Sequence, residues 1–214
     1  ISESQPMECI DVNVLGSQNI ARISIEKSVN TVIGISTDKA APPVNHIYGN
    51  SKALMEKMFN SLNANSDTNF SCVRFGNIAW STGSVFPIWK QMMKLNKKIE
   101  STGPNMKRFF FSVTDAADLV IRNLNNIELT SGKILSMEMK ASKISKILDV
   151  WTKLYGTPWV EINRRPGDTD HESMIGFTEL QYTTEIILDS MKHFLTSSSG
   201  AKDSISFISG GSPS

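Results

Sequence analysis

Short β-rich runs alternate with stretches of helical periodicity along most of the sequence, and this alternation restricts the fold more than any other feature. Thr31 to Ser36 (Thr-Val-Ile-Gly-Ile-Ser) is an apolar run of the kind buried on both faces in parallel sheets. Residues 48–63 follow, with Leu54, Met55, Met58, Phe59 and Leu62 at helical spacing, and Phe70 to Phe75 is the next strand. The same reading predicts helices over 8–27, 84–95, 142–155 and 178–195, with strands near 133–139 and 159–163. Pro87 is compatible with the first turn of its helix. A further helix is predicted from Asp115, with Thr114 as its N-cap. The fold class expected is α/β, with a mainly parallel, doubly wound sheet.

Two neighbouring motifs carry chemistry. Ser36-Thr37-Asp38-Lys39-Ala40 stands at the C-terminal end of a predicted strand, the edge where open parallel sheets place ligands. Tyr48-Gly49-Asn50-Ser51-Lys52 is a Tyr-x-x-x-Lys, whose members share one face if Tyr48 opens a helix. A Lys52 ammonium beside the phenol favours phenolate, lowering the Tyr48 pKa and making a base for a hydroxyl proton. Alone, Tyr-x-x-x-Lys is more often an amphipathic pair on a solvated face, and Asp38-Lys39 alone is as readily an ordinary turn.

Charge and cysteine content exclude several classes. The net charge is +1, from 22 basic and 21 acidic residues, which gives no footprint for nucleic acid or an anionic membrane. No apolar run approaches the ~20 residues of a membrane span. Cys9 and Cys72 form no disulfide framework and are expected as reduced core thiols. They suit a reducing, cytoplasmic setting. His46, His171 and His193 are too scattered for a metal site, and none is expected. The chain opens on Ile1 and turns to Ser and Gly from Thr196, so a fragment or processed product with a mobile tail over 196–214 is expected.

Further stretches complete the pattern: Asn13 to Asn19, Arg74-Phe75-Gly76-Asn77-Ile78, Gly83 to Pro87, Met106 to Phe109, and Arg165-Pro166-Gly167-Asp168 with His171-Glu172. With the two motifs above, the set resembles the extended short-chain dehydrogenase/reductase family. Within it, the chain most resembles the inverting UDP-N-acetylglucosamine 4,6-dehydratase branch of polysaccharide-biosynthesis proteins. The resemblance runs from near residue 6 to near 176. It has no counterpart for the family's N-terminal Gly-x-x-Gly-x-x-Gly turn, whose backbone approaches the dinucleotide pyrophosphate. Without that half, cofactor affinity and activity are expected to be poor. Trp80 stands where the family has a small residue.

The resemblance implies NADP as cofactor, a UDP-hexose as substrate, no nucleic-acid partner, and a homo-oligomer for the intact protein. It implies that Tyr48 is the base at the hexose C4, tuned by Lys52, which also holds the nicotinamide ribose. Lys39 is then the acid/base at C5, and Asp38 the acid for the departing C6 hydroxyl. Thr37 and Asn77 contact the sugar or phosphate, and Val85 and Thr102 the nucleotide. Arg108 and Arg165 hold the diphosphate and Glu172 the uridine ribose. Ile78, Ala79, Trp80, Ser81 and Thr82 form the loop at the nicotinamide end, and Asn13 is structural. Arg108 and Arg165 are alternatively surface salt-bridge partners, and Glu172 a surface residue.

The expected organisation is a partial Rossmann-like domain over 1–83 and 112–139 with a substrate lobe over 84–111 and 140–195. Two other functions stay open. One is a nucleotide-sugar C4 epimerase or reductase that uses the same tyrosine. The other is a non-catalytic relative acting as a binding or assembly partner.

Overall fold

The computed structural model describes residues 2–42, 44–164 and 168–197. Arg165 and the segment 198–214, most of the expected tail, lie outside the described residues.

The chain begins with a helical run: α1 (Pro6–Cys9), a π-helical stretch (Ile10–Gly16) and α2 (Ser17–Glu26). Strand β1 (Thr31–Thr37) leads through a 3-10 turn (Asp38–Ala40) to α3 (Ile47–Asn63) and β2 (Asn69–Phe75). A second group follows: β3 (Asn77–Ile78), α4 (Val85–Lys94), β4 (Ile99–Ser101) and β5 (Lys107–Phe111). Helices α5 (Val113–Asn125) and α6 (Ile127–Thr130) lead to β6 (Lys133–Met137) and β7 (Ala141–Lys143). The chain continues through α7 (Ile144–Tyr155), β8 (Trp159–Glu161), a second 3-10 helix (Phe177–Tyr182), β9 (Thr183–Leu188) and β10 (Met191–Ser197).

The main sheet has the order β1-β2-β6-β10-β9. β1 and β6 flank β2 in parallel, while β10 and β9 add an antiparallel hairpin. β2 shows why its sequence reads as a continuous apolar run: every residue from Phe70 to Phe75 is buried. Its period-2 alternation serves two layers. Phe70 and Cys72 pack with Ala21, Met55 and Phe59 of the helices on one face. Val73 and Phe75 pack with Phe111 and Leu119 on the other. Each such side chain contributes about 1.5–3 kcal/mol of burial. A separate core, built on Trp89, Ile99, Met106, Leu148 and Trp151, holds the α4–α7 region together. No helix among the described residues is long and apolar enough to cross a membrane.

Three expectations are corrected. The helix predicted over 178–195 is a 3-10 turn followed by a hairpin of the main sheet. Thr183, Thr184, Ile186 and Ile187 favour extended backbone. Asp189 and Ser190, with φ of 47° and 62°, form the two-residue turn that matches strand twist. Thr196, expected to open a mobile tail, lies in β10 at 2% exposure. The N-cap of α5 is Ser112, not Thr114: its side chain accepts from Asp115 N, and the Asp115 carboxylate accepts from Ser112 N in return. That reciprocal box satisfies two otherwise unpaired amide groups. Those hydrogen bonds hold the Asp115 carboxyl below its usual range.

Candidate active site

The parallel register of β1 and β2 sets Thr37 opposite Phe75, so Asp38 and Asn77 leave the sheet at the same edge. A Cβ on Gly76 would collide with the Phe109 backbone, so glycine allows β2 and β5 to converge there. Asn77 then donates to Phe109 O at 3.3 Å and accepts from Lys39 Nζ at 3.4 Å. Lys39 Nζ also lies 3.1 Å from Asp38 Oδ1 and 2.9 Å from Glu172 Oε1. Arg108 Nε approaches the same Glu172 oxygen at 3.4 Å. Thr37 is buried and donates to Asp38 Oδ1 at 3.0 Å, so its hydroxyl fixes the acid directly.

Tyr48 comes to this cluster because the first turn of α3 packs against the Asp38–Ala40 turn. A Cβ on Gly49 would collide with the Lys39 carbonyl, so only glycine permits the approach. His46 caps α3 by accepting from Gly49 N. Behind Tyr48, Asn13 donates to Ser51 Oγ at 3.0 Å, and Ser51 donates to the Tyr48 carbonyl at 2.8 Å. Asn13 belongs to the π-helical stretch, a local widening frequent at functional sites. It steadies the start of α3 through Ser51.

Burial pushes the Asp38 carboxyl up to about 6, Lys39 opposing and Glu172 reinforcing the shift. Burial favours neutral Lys39, but the Asp38 and Glu172 carboxylates outweigh it and leave its pKa above the ordinary lysine value. The expectation for Tyr48 is corrected. Burial raises its pKa, and the charge that opposes this is Lys39, not Lys52. The Lys52 ammonium instead donates to Ile35 O on the open edge of β1 at 3.0 Å, and burial lowers its pKa.

A cavity of about 280 Å³ adjoins this cluster, and Asn77, Val85, Thr102 and Arg108 all line it. Four residues nominated from sequence for the substrate therefore surround one space. Ile78 and Ala79, nominated for the cofactor, line it too. Trp80 stacks on Phe86 at 5.4 Å and is 54% exposed, held at a φ of 64°. Ser81 bonds back to Ile78 O, and Thr82 is exposed. The lining includes residues that sequence reasoning did not nominate, Asp168 and Ser84 among them. Asp168 faces the cavity with Arg108, and the Arg-Pro-Gly-Asp motif was the available signal. Ser84 also lines it, with a buried hydroxyl that has no partner among the described residues. Glu172, nominated for a ribose, bonds Lys39.

The sequence pattern of the family described as polysaccharide biosynthesis protein matches residues 1–191. The chain is 33% identical over 189 residues to a UDP-N-acetylglucosamine 4,6-dehydratase (inverting) of Campylobacter jejuni subsp. jejuni serotype O:23/36, covering 86% of this chain and 55% of that protein. It is 34% identical over 186 residues to a UDP-glucose 4-epimerase of Rickettsia bellii, covering 83% and 53%. Among solved structures, Pen from Bacillus thuringiensis superimposes with a TM-score of 0.85 at 27% identity, covering 94% of this chain and 62% of that one. The chain spans about half the length of the curated relatives it matches.

Proposed function

The chain belongs to the polysaccharide biosynthesis protein family, and on that premise we propose that the whole protein is an inverting 4,6-dehydratase acting on UDP-N-acetylglucosamine or a similar UDP-hexose. One juxtaposition carries this reading: the Asp38–Lys39 couple and the Tyr48 turn gather at one sheet edge, and Asn77, bonded to Lys39, also lines the neighbouring cavity. Tyr48 takes the proton of the C4 hydroxyl. Lys39, after its ammonium proton has passed to the Asp38 carboxylate 3.1 Å away, takes the C5 proton once the neighbouring ketone has acidified it. Asp38, its carboxyl already raised by burial, gives its proton to the C6 hydroxyl as that group leaves as water. Arg108 and Arg165 take the diphosphate, where guanidinium forks match phosphate oxygens.

The residues present suit the nicotinamide end of a dinucleotide. The Tyr48 phenol makes no hydrogen bond to a described residue, and Lys52 lies one turn along the same helix. NADP, when bound, supplies the hydride acceptor and donor. Tyr48, Lys52 and the Ile78–Thr82 loop would hold its nicotinamide ribose and ring. The sequence contains no Gly-x-x-Gly-x-x-Gly turn, so this stretch is assigned the catalytic and sugar-binding roles. Cys9 and Cys72, both buried and free, suit work in the cytoplasm.

Incubating the whole protein with NADP and UDP-N-acetylglucosamine, then weighing the product by mass spectrometry, tests the reading. Loss of one water is expected, and Lys39→Ala should abolish it. The match to a UDP-glucose 4-epimerase favours a second reading, C4 epimerisation. C4 exchange without water loss, persisting in Lys39→Ala, would establish that reading instead.

A further inference from the structure

Glu172 comes from a segment far along the chain from Asp38 and Lys39, yet it is the third charged member of their cluster. Its side chain is 5% exposed, and Oε2 is buried with no hydrogen-bond partner among the described residues. Asp38 Oδ2 is in the same condition. A buried carboxylate is expensive unless its charge is used by a neighbour. Here the neighbour is Lys39. An ammonium has three donors, and Asp38 Oδ1, Asn77 Oδ1 and Glu172 Oε1 provide three acceptors at 3.1, 3.4 and 2.9 Å.

We propose that Glu172 is the positioning residue of the Asp38–Lys39 couple, a carboxylate that fixes the Lys39 amine between Asp38 and Asn77 and sets the charge of both members. It acts through Lys39 and Asp38. Its negative charge favours the ammonium form of Lys39 and disfavours ionisation of Asp38, so both groups hold their protons to higher pH. Arg108 of β5 approaches the same carboxylate oxygen at 3.4 Å. Among the described residues, the remaining titratable groups facing the couple are Tyr48 of α3 and, beyond it, Cys9 of α1. The base and acid duties of Lys39 and Asp38 rest on the dehydratase reading; the electrostatic role of Glu172 does not.

The test is an NMR titration of the Lys39 Cε and Asp38 Cγ resonances in the isotope-labelled whole protein, wild type against Glu172→Gln. Glutamine keeps the shape and removes the charge. Both pKa values should fall. Unmoved titrations of Lys39 and Asp38 in a folded variant would overturn the proposal. If Glu172→Gln does not fold, Glu172→Asp serves: the carboxylate, one methylene shorter, no longer reaches Lys39 Nζ at 2.9 Å, so the Lys39 pKa should again fall, and an unmoved Lys39 titration would be equally fatal. In turnover, Glu172→Gln leaves more of Lys39 neutral and so available as the C5 base, and the acidic limb of kcat for water loss should move to lower pH with KM changed less than ~3-fold. A large rise in KM with kcat intact would instead make Glu172 a simple substrate contact. If the wild-type protein releases no water from UDP-N-acetylglucosamine, the dehydratase reading fails, and the NMR titrations still decide the role of Glu172.

Discussion

Glu56 of α3 receives Arg74 of β2 through two parallel 2.7 Å hydrogen bonds, at a point where the two residues are 2% and 1% exposed. Arg74 also donates to Glu179 at 2.7 and 2.8 Å and to the Met174 carbonyl at 3.0 Å. One guanidinium therefore ties β2 to α3 and to the 3-10 helix that precedes the hairpin. Removing it strands two carboxylates in a space that water reaches poorly. Arg74→Met is expected to cost about 3–5 kcal/mol, read as a lowered urea midpoint. Glu56→Gln, which keeps the shape and one acceptor, should cost less.

The hairpin turn carries a second expectation. Ser190 is held at a φ of 62° beside Asp189 at 47°, a backbone that L-residues other than asparagine and aspartate avoid. Ser190→Gly should stabilise the protein by about 1 kcal/mol, measurable as a higher unfolding midpoint. Asp189 is a poorer choice for the same change, because its carboxylate pairs with Arg122 at 2.6 Å.

That turn also explains where sequence reading failed. Leu180, Ile186, Ile187, Met191 and Leu195 recur at spacings a helix would use, and no glycine marks the break. The strand signal, Thr183 to Leu188, was present but short. β2 was legible because helices cover both its faces and leave an unbroken apolar run, and β1 carries a similar run although Ile35 is 45% exposed. The meeting of Asp38 with Asn77 followed from a parallel register and was legible for the same reason. Glu172 was legible as a motif member, but its partner was not. A loop residue's contact across the fold leaves no periodic trace. The partner of Lys52 was misread because helical spacing fixes which face a side chain leaves from, not which carbonyl it reaches.

Asp38 makes the site costly to keep. Its carboxyl is raised from 3.8 to about 6, so the folded state holds its proton more tightly than the unfolded state does. Its stabilising contribution is complete below pH 3.8 and is lost as pH rises through about 6. Asp38→Asn removes that loss. Relative to the wild type, the variant should fare better at pH 8 than at pH 4. On the dehydratase reading it should also stop water loss. Urea titrations of both proteins at the two pH values check the stability claim, and an Asp38→Asn protein that fares no better at pH 8 than at pH 4 would contradict it.

His193 works in the opposite direction. It is fully buried on β10, its Nδ1 lies 2.9 Å from the Met191 carbonyl, and its Nε2 has no partner among the described residues. A carbonyl can only accept, so Nδ1 carries the hydrogen, and burial with an unpartnered Nε2 favours the neutral ring. Burial lowers its pKa below the ordinary 6.5, so the unfolded chain binds the proton more readily. The stability it supports is intact above pH 6.5 and is lost as pH falls through the folded-state value. His193→Gln replaces the ring with a group that does not titrate. The wild-type midpoint should drop between pH 7.5 and 5.5 more steeply than that of the variant. The difference isolates His193, because Asp38, which strengthens the fold over the same descent, is common to both proteins. Parallel pH profiles for the two proteins would mean that the ring is protonated equally in the folded and unfolded states, and that its burial carries no electrostatic cost.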